Sequence, residues 1–106
     1  MAMLCASAEL APLVPRILPY GEGTLILLRL ADGGAVAWRN ACPHMGIELD
    51  WEAARVISRD GRWLRCTGHG ALFRPEDGLC VTGPCAGESL RRVAVSERDG
   101  LVLADG

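Results

Sequence analysis

The sequence contains no lysine, and it has only two histidines, one tyrosine and one phenylalanine. All eleven basic residues are therefore arginines, and thirteen acidic residues bring the formal net charge to -2. A chain with this balance lacks the positive surface that nucleic-acid binding requires, so we expect no nucleic-acid partner. The few aromatic residues likewise exclude a platform on which bases stack. The expected partners are proteins or small molecules.

Long apolar runs are also absent. Residues 25–28, for example, are all apolar but end at Arg29, far short of the about 18 residues that a membrane-spanning helix needs. No basic leader precedes Cys5, which we interpret as an ordinary thiol in a loose terminus. We therefore expect a cytoplasmic protein with no membrane partner. The length of 106 residues, the 50% hydrophobic content and the mean hydropathy of +0.20 are typical of one globular domain.

Short segments separated by Asp-Gly pairs make up much of the chain. Aspartate and glycine tolerate the positive φ of tight hairpin turns, so these pairs predict turns between antiparallel strands. The pairs are Asp32-Gly33, Asp60-Gly61, Asp77-Gly78 and Asp99-Gly100. The predicted strands are 14–20, 24–30, 35–39, 55–58, 63–66, 71–74, 90–96 and 101–104. The sequence therefore predicts an all-β fold.

Two local patterns add detail to this prediction. The first predicted strand contains Pro15 and Pro19, which lack an N–H donor and therefore place the strand at a sheet edge. Residues 50–55 are the one stretch that favours a helix, a single turn that the Asp50 side chain would cap.

Both histidines lie shortly after a cysteine. His44 follows Cys42 with one residue between them, and His69 follows Cys66 with two residues between them. The two pairs are separated by 21 residues, 45–65. Pro43 and the nearby glycines favour loops over regular structure at both places. Two thiolates and two imidazoles on two loops are the donors of a metal site.

The distribution of these donors bears on the choice of metal. A single tetrahedral zinc ion usually takes its cysteines from one motif and its histidines from another, whereas here each loop supplies one of each. In a Rieske-type [2Fe-2S] cluster, one iron takes two thiolates and the other takes two imidazoles. Two facing loops that each carry one cysteine and one histidine would each deliver one ligand to each iron. The pattern favours the iron–sulfur cluster, with zinc as the alternative.

The sequence resembles the Rieske ferredoxin family from about residue 16 to residue 103. Residues 42–49 (CPHMGIEL) and 66–73 (CTGHGALF) match that family's C-x-H-x-G-x-x-L and C-x-x-H-G-x-x-F motifs. Gly78 and Gly83-Pro84 resemble the spaced glycine and the proline loop that cover the cluster in this family. The resemblance implies one Rieske domain over residues 1–106. It would have an antiparallel β-sandwich or barrel base and a two-loop cluster-binding cap at about residues 40–75.

The same resemblance implies the ligands of one [2Fe-2S] cluster per chain. Cys42 and Cys66 would bind the inner iron, and His44 and His69 would bind the outer iron. Four protein ligands leave no open coordination position, so the implied role is electron transfer and not catalysis.

Departures from the family pattern indicate the kind of Rieske protein. Ile47 and Gly68 occupy the positions at which the proteins of bc-type complexes carry a disulfide, so that bridge cannot form. Ala71 and Phe73 replace a serine and a tyrosine that donate hydrogen bonds to the cluster region. We therefore expect a soluble ferredoxin with a potential in the lower part of the Rieske range of about -150 to +300 mV.

The function predicted on this basis is transfer of one electron between a reductase and an oxygenase or similar terminal enzyme. One alternative is the small Rieske subunit of a larger reductase such as nitrite reductase. Another is a redox-sensing or zinc-holding binding module.

Other residues have simpler interpretations. We interpret Cys80 and Cys85 as packed thiols, with a disulfide or redox-active pair as the alternative. The three tryptophans are expected to pack in the core or at its rim, and three arginines near strand ends are expected to face solvent. These residues are Trp38, Trp51, Trp63, Arg39, Arg65 and Arg74. We expect the long segment between the two loops to form a hairpin around Asp60-Gly61.

Overall fold

The computed structural model describes residues 2–43, 46–68 and 70–105. Within them the chain forms ten strands in three sheets, with short 3-10 helices at Ser7–Glu9 and Ala53–Arg55. The strands are β1 Ala2–Ala6, β2 Arg16–Tyr20, β3 Gly23–Arg29, β4 Ala35–Arg39, β5 Leu64–Cys66, β6 Ala71–Phe73, β7 Cys80–Thr82, β8 Arg92–Val93, β9 Val95–Arg98 and β10 Leu101–Ala104. All strands that pair do so antiparallel, which confirms the predicted all-β antiparallel fold. The described residues include no helix that is long and apolar enough to cross a membrane.

Two of the sheets form the base of the molecule. One has the strand order β1-β10-β9 and the other the order β2-β3-β4-β8. Strand β3 is buried on both faces: Leu25 and Leu27 pack in one hydrophobic cluster, and Ile26 and Leu28 pack in the other. Because successive side chains of a strand point to opposite faces, a run of four apolar residues marks a strand that is covered on both sides.

The third sheet, of order β5-β6-β7, packs against the second and carries the sequence motifs. Its core includes Leu64 and Phe73, which share a hydrophobic cluster with Trp38 of β4. The Trp38 indole N–H donates to the Pro75 carbonyl at 3.0 Å. Gly78 has a φ of 75°, and a Cβ there would lie 2.8 Å from the Trp38 ring, so only glycine fits this turn. The contact fixes the third sheet against the base.

Several sequence predictions agree closely with this structure. Strands β4 and β10 have the predicted bounds, and β2 lies at a sheet edge as its prolines require. The Asp-Gly pair between β9 and β10 forms a hairpin turn in which Asp99 and Gly100 have φ values of 53° and 77°. The long segment between the two motifs also folds back at Asp60-Gly61, where Ser58 N donates to the Trp63 carbonyl at 2.9 Å.

The expectation of a loose N-terminus is wrong. Residues Ala2–Ala6 form β1, which pairs with β10, and Cys5 is only 4% exposed. The segment is ordered because its apolar side chains cover the first sheet, where Cys5 packs near Leu10 and Val102. The pairing partner is about 100 residues away in the chain, so no local pattern indicates it.

Other local predictions also need correction. Residues 55–58 do not form a strand, because Arg55 ends a 3-10 helix and Ile57 makes only an isolated bridge to Leu64. The predicted strand 90–96 is divided into β8 and β9, which belong to different sheets, and strand β7 was not predicted. Asp50 does not cap the 3-10 helix; its Oδ1 instead accepts from the Glu52 N–H at 2.9 Å.

Candidate metal centre

The two loops that carry the motifs begin with the same backbone turn. Cys42 follows β4, and its carbonyl accepts from the Gly46 N–H at 2.7 Å. Cys66 ends β5, and its carbonyl accepts from the Gly70 N–H at 2.8 Å. Gly46 and Gly70 have φ values of 72° and 70°, in the left-handed region that favours glycine. Each loop therefore folds back four residues after a cysteine, which explains the glycine in both motifs.

Both cysteines lie in a dry environment. Cys42 is 1% exposed and Cys66 is 0% exposed, and both belong to the hydrophobic cluster that contains Phe73 and Leu49. Because a thiolate is costly to bury without a counter-charge, two buried thiols in one hydrophobic cluster suit a site that a metal ion completes.

The predicted histidine ligands, His44 and His69, lie outside the described residues. Within residues 2–43, 46–68 and 70–105, no three His, Cys, Asp or Glu side chains are grouped so as to hold a metal ion. This part of the chain thus supplies only the thiol half of the predicted ligand set. The four-ligand site of Cys42, His44, Cys66 and His69 stays a prediction. Its two described members fit the cysteine-ligated iron of a [2Fe-2S] cluster.

A buried amide fixes the first loop, residues 40–50, to the base. The Asn40 side chain accepts from the Leu49 N–H at 2.8 Å and donates to the Asp50 carbonyl at 3.0 Å. It also donates to the Thr24 hydroxyl of β3 at 3.1 Å. Because Asn40, at the start of the loop, bonds both the last two residues of the loop and a strand of the base, the loop has a defined position.

The Asp50 carboxylate is charged although it is buried. Its Oδ2 accepts from the Thr67 hydroxyl at 2.8 Å and pairs with the Arg55 Nε at 3.2 Å. Burial acts to raise the pKa of Asp50, but the Glu52 N–H, the Thr67 hydroxyl and the Arg55 charge outweigh it and hold the pKa below its usual value. Sequence reasoning assigned neither Asn40 nor Thr67 to the site. The available signal was their placement next to the two motifs.

Cys80 and Cys85 are buried and are not joined in a disulfide. The Cys85 thiol donates to Cys80 Sγ at 3.0 Å, and the Cys80 thiol donates to the Thr82 carbonyl at 3.2 Å. Burial, contact with Cys80 and contact with Cys42 raise the pKa of Cys85 to about 12. The thiolate is thus disfavoured, in agreement with packed thiols. The contact with Cys42 places Cys85 beside the predicted ligand.

The tryptophans and arginines differ in their surroundings. Trp38 is buried as predicted, but Trp51 is 74% exposed, so the expectation that it packs is wrong. It lies just after loop 40–50, where the chain turns along the surface. The Arg74 side chain is at the surface and pairs with Asp77 at 3.2 Å. Arg39 stacks over the Tyr20 ring at 4.9 Å.

These features define a class of protein: an antiparallel β protein in which two loops with matching turns each contribute a buried cysteine to the same hydrophobic cluster. The Rieske [2Fe-2S] domain model matches residues 1–97, and the chain belongs to this family. The family membership confirms the predicted Rieske-type [2Fe-2S] cofactor. No curated protein shows significant similarity to the sequence.

Several solved structures of carbazole 1,9a-dioxygenase components have a similar fold. The ferredoxin of carbazole 1,9a-dioxygenase from Nocardioides aromaticivorans IC177 has a TM-score of 0.75 and 20% identity, over 98% of this chain and 97% of that one. A chain in a complex of reduced oxygenase and oxidized ferredoxin of carbazole 1,9a-dioxygenase has a TM-score of 0.76 and 24% identity, over 96% of this chain and 98% of that one. A longer chain in the reduced complex between oxygenase and ferredoxin of carbazole 1,9a-dioxygenase has a TM-score of 0.81 and 24% identity. The match covers 98% of this chain but only 28% of the longer one.

Proposed function

We propose that the protein carries one electron on a Rieske [2Fe-2S] cluster, from a reductase to an oxygenase or similar terminal enzyme. The observation that supports this most strongly is the pair of matching cysteine turns in a chain of the Rieske family. The fold extends over 97% of a carbazole dioxygenase ferredoxin, a protein of similar size. We further propose that the chain is one Rieske domain over residues 1–106 and that it acts in the cytoplasm.

In this proposal Cys42 and Cys66 hold one iron inside the core, and His44 and His69 hold the other. The cluster, when bound, supplies reversible one-electron chemistry. The protein's own residues exclude water from the thiolate side, since both cysteines and the neighbouring Phe73 are fully enclosed. Ala71 and Phe73 contribute no side-chain donor, which supports a potential in the lower part of the Rieske range. A protein with four ligands and no open position transfers electrons and catalyses no reaction by itself.

One observation favours a second candidate, in which the chain is the Rieske component of a larger enzyme such as a reductase. The same fold occurs as 28% of a longer chain in the carbazole dioxygenase complex. A component of this kind would copurify with its catalytic subunit, whereas a ferredoxin would purify alone.

The primary test is the metal content of protein purified without air. We expect a brown protein with two irons and two acid-labile sulfides per chain. His44→Ala and His69→Ala should each abolish the cluster absorbance, whereas Cys5→Ser should retain it because Cys5 lies in the first sheet of the base. A colourless protein with one zinc ion per chain would contradict the proposal.

The electron-transfer role is tested with a separate reaction. Chemically reduced protein is mixed with an oxygenase component, for which the carbazole dioxygenase oxygenase is the first choice, and cluster reoxidation is followed by absorbance. We expect Trp51→Ala to slow reoxidation, because a large exposed aromatic residue directly after the first motif loop is a typical interface anchor. The matched control is Met3→Ala, since Met3 is also exposed but lies on β1 of the base. Equal rates for the two variants would argue against docking near Trp51.

A further inference from the structure

The two motif loops have no covalent connection. Ile47 and Gly68 occupy matching places in the two loops, and neither is a cysteine. Among the described residues, no atom lies within 4 Å of the position where a Cβ of Gly68 would lie, and Gly68 has no side chain that could bridge to the first loop. The loops must therefore be held together by other groups.

Thr67 joins the second loop to the first through hydrogen bonds. Its N–H donates to the Leu49 carbonyl at 3.1 Å, and its hydroxyl donates to Asp50 Oδ2 at 2.8 Å. The hydroxyl also lies 3.2 Å from the Leu49 carbonyl. Asp50 and Thr67 are 17 residues apart in the chain and lie on opposite loops. We call the Asp50 carboxylate and the Thr67 hydroxyl the inter-loop bridge.

The acceptor side of this bridge is fixed in position. Asp50 is only 5% exposed, and it and Asn40 are the two buried polar residues in the described part of the chain. Both lie in loop 40–50. In the described residues no buried side-chain polar atom lacks a hydrogen-bond partner. Burying a carboxylate costs free energy unless hydrogen bonds or charges compensate it. The two buried polar side chains therefore need the hydrogen bonds that they make, and those bonds fix this loop.

We propose that the inter-loop bridge is a positioning device that holds the two loops at the separation which the cluster requires, and so keeps the cluster bound. This inference rests on the proposed function, because it takes Cys42 and Cys66 as ligands on opposite loops. Each loop supplies a ligand to each iron, so a change in loop separation strains both irons at once. A hydrogen bond to a buried carboxylate is stronger than one between neutral groups, which suits this role.

The test compares three variants of the whole protein. Thr67→Val removes the hydroxyl and keeps the shape, Thr67→Ser keeps the hydroxyl, and Thr82→Val makes the same chemical change at an exposed position of β7. Thr67 is itself at the surface, so valine there creates no cavity. Cluster loss is followed by visible absorbance after addition of an iron chelator.

We expect Thr67→Val to lose the cluster about tenfold faster than the unaltered protein, and Thr67→Ser and Thr82→Val to lose it at the unaltered rate. A Thr67→Val protein that purifies without cluster, while the other two are brown, also supports the proposal. Equal rates for Thr67→Val and Thr82→Val would overturn it. Failure of Thr67→Ser to restore the slow rate would overturn it as well.

A second measurement separates this inference from the proposed function. If the unaltered protein assembles no cluster, the proposed function fails, and hydrogen exchange of the metal-free protein then decides on the bridge. We expect the Gly46 and Gly70 amides to exchange faster in Thr67→Val than in Thr82→Val, because the bridge aligns both loops. Unchanged exchange at both glycines would overturn the inference.

Discussion

Gly83 is the residue at which a single methyl group has the clearest structural consequence. It follows β7 and begins the turn that ends at Gly87. Its φ is 104°, and a Cβ built on it would lie 2.8 Å from the Ala71 Cα and 3.0 Å from the Ala71 Cβ. Ala71 is the first residue of β6, directly after the loop that carries Cys66. The added methyl group would therefore push against backbone and displace this loop.

The cost of Gly83→Ala has two parts. A left-handed backbone conformation costs an L-residue about 1–2 kcal/mol. Overlap with a packed neighbour costs about 1–3 kcal/mol more, because Ala71 presents backbone atoms and cannot change rotamer. The sum of about 2–5 kcal/mol is a large share of the stability of a domain this small. It corresponds to a fall in Tm on the order of 10–20 °C.

Gly87→Ala is the matched control for this substitution. Gly87 has a φ of 93° and no atom within 4 Å of its Cβ position, so it carries the backbone cost without the contact. Gly83→Ala should have the lower Tm in thermal unfolding followed by circular dichroism. It should also lose its cluster faster, as followed by visible absorbance. Equal Tm values for the two variants would refute the reasoning, because the contact with Ala71 would then add nothing.

Three further predictions concern other parts of the molecule. Glu97 accepts from two guanidinium nitrogens of Arg29 at 2.8 and 2.9 Å, and this pairing lowers its pKa from 4.5 to about 2. Because the folded-state pKa is the lower one, the carboxylate stabilises the fold above pH 4.5 and loses this effect as the pH falls toward 2. Glu97→Gln should therefore lower the free energy of unfolding by on the order of 1 kcal/mol at neutral pH, after allowance for solvent screening. In urea unfolding, the stability of this variant should fall less steeply below pH 4.5 than that of the unaltered protein. An equally steep fall would contradict this. Cys85→Ala should lower the free energy of unfolding by about 1–2 kcal/mol and leave the cluster potential unchanged, because the Cys85 thiol is fully buried and donates its one hydrogen to Cys80 Sγ, not to a ligand sulfur. A shifted potential in spectroelectrochemical titration would refute this assignment. Cys5→Ser should lower the free energy of unfolding by about 1 kcal/mol, since it buries a hydroxyl in the base, and should leave the iron content unchanged; loss of iron would count against the assignment of the ligands.

The sequence by itself determined the local features of the protein. The Asp-Gly pairs predicted their turns because positive φ is a property of the residue, as Asp99 and Gly100 show. The strand predicted at residues 24–30 matches β3 to within one residue, since a short apolar segment between turns is a local pattern. The two cysteine motifs identified the Rieske family, because ligand spacing follows from the turn that each loop makes.

Only the tertiary structure decided which distant segments meet. It placed β1 beside β10, left Trp51 at the surface, and brought Thr67 to within 2.8 Å of Asp50. None of these follows from a local pattern, because strand pairing, exposure and hydrogen bonding between loops depend on how the sheets pack. The burial of the Asp50 carboxylate, for example, cannot be predicted without its hydrogen-bond donors, because a buried charge needs partners. One of those donors, Thr67, lies 17 residues away in the chain.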